Sequence, residues 1–472
     1  MGTSHRREER VGLVILAAGA GIRMRSSLPK PMHTVAGVPM IERVLRAGFG
    51  GRPDDIAVVV NRETADLASR LGQGDAVIFV LQDPPRGTGD AVRLALEALP
   101  ECDRLIVLFS DHPLLEPQSV ARLRADSRAA DAHVTILSAL LADAAGYGRV
   151  VRDDLGRPVG IAERADDDPT RRAGPTEINS GMMVLDASWA KAALARLQPS
   201  DTTGEIYLTD LVATAVREAK PDEPWPVAVV QGDGDDALGV NDRVDLARAE
   251  SRAWARKRER LMRAGVTMRL PETIVVDEDV MVGADTVILP QSQLFGNTRV
   301  GSGCMIGPDA ILKDARLGDR VIVRSSTVED TAIADDSDVG PYAHLRGGSE
   351  IGPRVHIGNF AELKNARLAS GVKVGHFSYL GDAAIGDDAN IGAGTVTANF
   401  DGTVKHRTEI GARAFIGSDT ILRAPVRIGD DARTGAGSVV TRDVPDGATV
   451  VGVPARVVRQ APTETNRAKQ EE

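Results

Sequence analysis

Two rhythms of apolar residues divide the chain. Up to about residue 240, short aliphatic runs alternate with amphipathic stretches. Val11-Leu16, Ile56-Val60, Val77-Leu81, Leu105-Phe109 and Val134-Leu137 read as strands, with helical patterns such as Met40-Gly48 and Ala91-Leu99 between them. This alternation predicts a largely parallel sheet covered by helices on both faces, where ligands bind beyond the carboxyl ends of the strands. From Val282 to Gly452 the rhythm becomes one of aliphatic-glycine pairs. Val300-Gly301 and Ile306-Gly307 are six apart, and so are Ile351-Gly352 and Ile357-Gly358, and Ile385-Gly386 and Ile391-Gly392. Skipped beats keep phase, with eighteen residues from Val282 to Val300 and twelve from Ile416 to Ile428. Each aliphatic residue would point inward from a flat wall, and the small residue after it would let the backbone turn a corner. Three walls per turn predict a parallel β-helix of hexapeptides. Residues 243–263 are rich in Ala, Arg and Glu with a thin apolar stripe and read as an exposed helical arm. The boundaries expected are 1–240 for the sheet domain, 241–264 for the linker helix, 265–458 for the solenoid and 459–472 for a disordered tail.

Composition narrows the function. Of 472 residues, 42% are hydrophobic and 26% charged, the balance of a globular protein, and no apolar run approaches the roughly 18 residues of a membrane span. A net charge of -10 opposes binding to a nucleic acid backbone, so any phosphate would be held in a local pocket of Lys, Arg and backbone N–H groups. With only 3% aromatic residues there is little to stack on single-stranded bases. The two cysteines, Cys102 and Cys304, fall in different predicted domains, which suits a reducing cytoplasm better than a disulfide framework. Arg6 and Arg7 before an apolar run mimic a signal peptide, but the run is short and Glu8 and Glu9 spoil its charge.

Chemistry first shows in the loop Leu16-Ala-Ala-Gly-Ala-Gly-Ile-Arg-Met24, directly after a buried strand. Its glycines allow a tight turn that presents N–H groups to an anion, and Arg23 and Lys30 add positive charge. Pro29-Lys30-Pro31 is expected to hold the lysine in an extended segment. Neither a complete dinucleotide-binding fingerprint nor a P-loop is present. Read alone, Asp111 could equally cap a helix before Pro113, and Asn241 could cap the arm.

These residues resemble the sugar-1-phosphate nucleotidyltransferases. Gln82 with Gly87-Thr88-Gly89, Phe109-Ser110-Asp111, Gly146-Tyr147-Gly148-Arg149, Glu163, Glu177-Ile178-Asn179-Ser180-Gly181, Tyr207-Leu208-Thr209-Asp210 and Gly239-Val240-Asn241 follow in order. Together with the solenoid, they resemble the GlmU family, which joins a uridyltransferase to a hexapeptide-repeat acetyltransferase. The resemblance implies a Rossmann-like α/β nucleotidyltransferase domain followed by a left-handed parallel β-helix. It implies acetylation of glucosamine-1-phosphate from acetyl-CoA, then transfer of UMP from UTP to N-acetylglucosamine-1-phosphate, with release of pyrophosphate. By the same resemblance Asp111 and Asn241 hold Mg²⁺, while Arg23 and Lys30 are catalytic and clamp phosphates. Leu16, Ala17, Ala18, Gly19, Phe109 and Ser110 line the nucleotide site. Gln82, Gly87 and Thr88 read uracil, and Gly148, Glu163 and Asn179 hold the sugar.

In the solenoid, His376 interrupts the aliphatic pattern, and a histidine can accept an amine proton near neutral pH. The resemblance makes His376 the general base and places Arg346, Lys364, Tyr379 and Asn390 at the sugar phosphate. It places Ala393, Asn399, Phe400, Ser418 and Ala436 along acetyl-CoA. The insertion Asn399–Thr408 would form a loop carrying Lys405 to a neighbouring subunit of a homotrimer. His344, His356 and His406 are competing histidines. A three-histidine zinc site of the carbonic anhydrase type is disfavoured, because His344, His356 and His376 lie twelve and twenty apart instead of including a pair five apart. Departures from the family pattern are Ala20, Ile22, Asp90, Ser110, Phe400 and the ending Val451-Gly-Val-Pro-Ala-Arg456. The partners expected are small molecules, with neither nucleic acid nor membrane. The competing reading is a monofunctional nucleotidyltransferase whose solenoid only oligomerises or regulates, and a scaffold without activity is a further one.

Overall fold

A computed structural model describes residues 9–71, 76–142, 147–162, 176–201 and 203–460. The tail from 461 onward and Glu163 lie outside the described residues. The chain forms two compact units, residues 1–253 and 254–472. Among the described residues no helix is long and apolar enough to cross a membrane.

The first unit is built on a mixed sheet. Its main strands are β1 (Val11–Leu16), β2 (Asp55–Val60), β3 (Ile78–Leu81), β4 (Arg104–Phe109), β5 (Val134–Leu141), β6 (Thr176–Asp186) and β7 (Val227–Gln231). Their spatial order is β7-β5-β6-β4-β1-β2-β3, so sequence neighbours are repeatedly separated by crossovers. Every residue of β1 is buried, as expected of a central parallel strand covered on both faces. The helices Met40–Gly48, Thr88–Ala98 and Pro117–Ala130 contribute apolar stripes to this cover.

Three local expectations change. The strand expected at Val134-Leu137 continues to Leu141, because it pairs with β6. β6 itself is antiparallel to both neighbours, β4 and β5. Its alternation is hidden in the sequence by Asn179-Ser180-Gly181, where the register shifts between Asn179 and Met183 and Ser180 Oγ donates to the Leu137 carbonyl at 2.6 Å. Lys30 begins a 3₁₀ turn, Lys30–Met32, in place of the extended segment. Pro29 and Pro31 favour that turn, since the fixed φ of proline suits a helix start.

The second unit is a left-handed parallel β-helix with three walls. Successive strands visit the walls in turn, and strands pair in parallel with those a full coil later, as Ile357 does with Val374, until an antiparallel pair, Thr449–Gly452 with Ala455–Arg459, ends the coil. One inner column runs Ile306, Val323, Val339, Ile357, Val374 and Ile391, all buried. Most glycine beats belong to two walls. On the third the inward residue is usually followed by a larger residue, as in Leu312-Lys313 and Leu363-Lys364, with Leu380-Gly381 an exception. Where glycine occurs, the coils press close: a Cβ on Gly358 would lie 1.9 Å from the Gly375 carbonyl oxygen. Aspartates join neighbouring coils at other corners, with Asp319 Oδ1 accepting from the Ser302 N–H at 2.8 Å and Asp335 Oδ1 from the Asp319 N–H at 2.9 Å. These bonds satisfy corner N–H groups that no wall can pair.

Candidate functional sites

In the sheet unit, β1 and β4 are parallel neighbours whose last residues, Leu16 and Phe109, are in register. The loops that follow them therefore open side by side. A cavity of about 340 Å³ forms there, lined by Leu16, Ala17, Ala18, Gly19, Lys30, Gln82, Gly87, Thr88, Phe109, Ser110 and Asp111. Pro31, Pro85, Ala91, Glu205 and the departing residue Ala20 also line it. Two polar residues absent from the sequence reading hold the loop from beneath. Asn61 Nδ2 donates to the Ala18 carbonyl at 2.8 Å and Thr64 Oγ1 to the Ala17 carbonyl at 3.1 Å. Their signal in the sequence is a polar Asn-x-x-Thr at the end of a strand that is otherwise wholly apolar.

Lys30 Nζ is 2.5 Å from Asp111 Oδ2, and His112 Nδ1 is 3.0 Å from Asp111 Oδ1. Burial alone would push the Asp111 carboxyl up, but the His112 hydrogen bond and the nearby positive charge of His112 and Lys30 outweigh it. They hold the carboxyl well below the usual carboxylate range. The Val240 N–H donates to the Asp111 carbonyl at 2.8 Å, which brings Asn241 beside the carboxylate, and Asn241 Oδ1 accepts from Arg23 at 2.8 Å. Neither Asp111 nor Asn241 caps a helix. The helix after Asp111 starts at Pro117, and Asp242 accepts from the N–H groups of Val244 and Asp245 at the start of the arm.

Gly148 and Asn179 meet through a backbone bond of 2.8 Å but do not line the cavity. The same loop reaches the metal-ligand candidates, since Tyr147 Oη accepts from the Gly239 N–H at 3.3 Å.

In the solenoid, His376 ends a strand of one wall and Tyr379 begins the next, so both flank one corner. The His376 side chain is exposed, and its Nδ1 lies 3.0 Å from Asn359 Oδ1, its register partner one coil earlier. With the Asn359 oxygen as the acceptor, the contact suits the tautomer that carries its proton on Nδ1 and has its lone pair on Nε2. The competitors are engaged differently: His344, His356 and His406 each face a carboxylate, Glu329, Asp338 and Asp401 respectively. Asn359 is absent from the sequence reading, because its role depends on stacking across seventeen residues.

On the adjoining wall, Arg346 and Lys364 are in register. Arg346 pairs with Glu362. Lys364 is pulled below the usual lysine value by a hydrogen bond and charge repulsion from Lys405, with Arg346 adding to it. Gly381 leaves room for Tyr379, whose Oη would be 2.5 Å from a Cβ there, and Asn399 Nδ2 donates to Asp382 at 2.5 Å. Asn390 follows on the wall that carries His376. Beyond His376, the corner positions of later coils are Ala393, Ser418 and Ala436. They are stacked through backbone bonds from the Asp419 N–H to the Ala393 carbonyl at 2.6 Å and from the Gly437 N–H to the Ser418 carbonyl at 2.8 Å. At about 4.8 Å per coil, these small residues form a straight track extending roughly 14 Å from the histidine. Phe400, 59% exposed, heads the inserted loop and bridges to Lys405.

Comparison with known proteins agrees with this two-part organisation. Residues 13–159 match the MobA-like NTP transferase domain, and residues 407–442 match the bacterial transferase hexapeptide (six repeats). The bifunctional protein GlmU of Alkalilimnicola ehrlichii is 43% identical over 446 residues, covering 94% of each chain. That of Mycolicibacterium vanbaalenii is 43% identical over 452 residues, covering 93% of this chain and 90% of its own. That of Prochlorococcus marinus is 39% identical over 451 residues, covering 95% of this chain and 99% of its own.

Proposed function

The chain belongs to the family of bifunctional GlmU proteins, and from that premise we propose that its two sites act in succession on one amino sugar phosphate. The solenoid acetylates glucosamine-1-phosphate from acetyl-CoA, and the sheet unit then transfers UMP from UTP to the N-acetylglucosamine-1-phosphate formed, releasing pyrophosphate. The order follows from the second step taking the acetylated sugar.

In the first reaction Arg346, Lys364 and Lys405 receive the sugar phosphate, relieving their mutual repulsion. Tyr379 and Asn390 complete the sugar site. The amine attacks the thioester carbonyl while His376 Nε2 takes its proton. The C–N bond forms, the C–S bond breaks, and the coenzyme leaves as its thiol. Backbone N–H groups at the corner offer donors to the oxyanion. Ala393, Ser418 and Ala436 present a side-chain-poor track on which the extended arm of the coenzyme can lie, with Asn399 and Phe400 beside it. One observation carries this assignment over a solenoid that merely oligomerises: His376, with Nδ1 on Asn359, stands at the corner leading into the wall of Lys364, whose ammonium is crowded by Lys405. His376→Ala should abolish coenzyme A release and leave pyrophosphate release from UTP intact. Equal loss of both, or of neither, would remove the assignment.

In the second reaction the sugar phosphate oxygen attacks the α-phosphorus, and pyrophosphate departs from the opposite side. Repulsion between the anions is the main obstacle. Lys30, Arg23 and the N–H groups of the loop that follows Ala17 reduce it by holding the phosphates, and Gln82, Gly87 and Thr88 take the base. Gly148, Glu163 and Asn179 hold the sugar. Asp111 and Asn241 offer the hard oxygen donors that suit Mg²⁺, an ion that keeps several waters and needs few protein ligands. Both oxygens already accept from cationic side chains, Lys30 and Arg23, which supports a cation-binding role. Bound there, Mg²⁺ would neutralise phosphate charge.

The exposed acetyl site and its inserted loop are suited to completion by a neighbouring copy in a homotrimer. Two free cysteines, one in each unit, are compatible with the cytoplasm.

A further inference from the structure

In the nucleotide cavity, Gln82 is almost fully buried at 2% exposure, yet it is one of the lining residues. Its Nε2 donates 2.9 Å to Asp90 Oδ2 and 3.0 Å to the Gly87 carbonyl. Both partners are acceptors that cannot donate while Asp90 is ionised. Arg93, in the next turn of the same helix, donates 2.7 Å to the other Asp90 oxygen, and its second arm reaches Glu97 at 2.7 Å. Turning the Gln82 amide over would set its oxygen against a carboxylate and a carbonyl. Among the described residues Gln82 Oε1 has no hydrogen-bond partner. The amide orientation, which glutamine usually leaves open, is thus fixed by its surroundings.

We propose that Asp90 is a positioning residue for base specificity: it locks Gln82 so that only an acceptor faces the base and selects pyrimidines bearing an N3–H over those with a bare N3. Uracil and thymine carry that N–H, whereas cytosine has a lone pair at N3 that meets the Gln82 oxygen head-on. The lock favours UTP over CTP and does not separate UTP from dTTP. It rests on the uridyltransferase reading of this cavity. It also gives a purpose to a residue that departs from the histidine common in the family, since a neutral imidazole nitrogen can likewise accept from Gln82.

The test compares wild-type protein with Asp90→Asn, whose amide can donate to Gln82 and release the lock. Binding of UTP and CTP is measured by calorimetry, and kcat/KM for each by pyrophosphate release. The ratio of UTP to CTP, in binding and in turnover, should fall about tenfold or more, the scale of one charge-assisted hydrogen bond. Asp90→His should restore most of it, and KM for the sugar phosphate and the acetyl transfer rate should stay at wild-type values. If Asp90→Asn folds poorly, Arg93→Ala, which leaves the carboxylate in place but unheld, should lower the ratio by a smaller factor. An unchanged ratio in a folded variant, or equal loss for both nucleotides, would overturn the proposal while leaving the uridyltransferase reading intact. Wild-type protein that released no pyrophosphate from UTP would overturn that reading and the lock with it.

Discussion

Replacing Asn359 by alanine removes the only partner that His376 Nδ1 has among the described residues while leaving the histidine, the cation cluster and the small-residue track untouched. The bond is 3.0 Å long and lies on the open face of a wall, so its net worth is about 0.5–1.5 kcal/mol. If all of it serves to hold the tautomer and ring in the reactive pose, kcat for acetyl transfer should fall roughly 2- to 13-fold. Loss of the base itself in His376→Ala should cost about 100- to 10,000-fold. The assay is release of coenzyme A thiol from acetyl-CoA with saturating glucosamine-1-phosphate, alongside pyrophosphate release as the internal control. The double variant gives the decisive comparison, because a bond that acts only through the histidine adds nothing once the histidine is gone. Asn359→Asp adds a signature that a packing defect would lack. A carboxylate beside the imidazole favours its protonated form and raises its pKa, so the neutral base appears only at higher pH and the acid limb of the rate profile moves upward. Wild-type rates in Asn359→Ala, or a full additional loss in the double variant, would refute the reasoning.

Asp111→Asn should lower pyrophosphate release by about 100-fold or more and raise the Mg²⁺ concentration needed for half-maximal rate, with acetyl transfer unchanged, as separate kinetic assays of each step would show. Asp401 accepts from the N–H groups of Thr403 and Val404 and from His406, and its carboxyl is held down to about 2. Its contribution is therefore present above the unfolded value of 3.8 and lost as pH falls toward about 2. Asp401→Ala should loosen the loop at any working pH and raise KM for glucosamine-1-phosphate several-fold in steady-state kinetics. At Asp90, burial pushes the carboxyl up, but the hydrogen bonds from Gln82 and Arg93 win and hold it below 3.8. The preference for UTP over CTP should accordingly stay level between about pH 8 and pH 6, where neither base titrates, when the ratio is measured across that range.

Much of this was legible in the sequence because it rests on short-range rules. The six-residue beat of Val300, Ile306 and their successors is a direct consequence of coil geometry, and it gives the prism without any contact being known. The loop Leu16–Gly19 likewise follows from a buried strand running into glycine. What escaped detection depends on stacking or on interrupted patterns. Asn359 reaches His376 only because coils superpose residues seventeen apart. Asn61 and Thr64 support a loop more than forty residues away. β6 was hidden because Asn179-Ser180-Gly181 breaks its alternation with a bulge. Asp90 stood out only as a departure from the family pattern, and its contact with Gln82 depends on how the helix after Gly87 packs.

The central claim is that one chain carries out two separable transfers in sequence. Purified protein given glucosamine-1-phosphate, acetyl-CoA, UTP and Mg²⁺ should form UDP-N-acetylglucosamine, followed by mass spectrometry. His376→Ala should form it only when N-acetylglucosamine-1-phosphate is supplied, and Asp111→Asn should accumulate that acetylated sugar phosphate. If His376→Ala still converted glucosamine-1-phosphate to the final product, or if the wild-type protein stopped at either half-reaction, the claim would be contradicted.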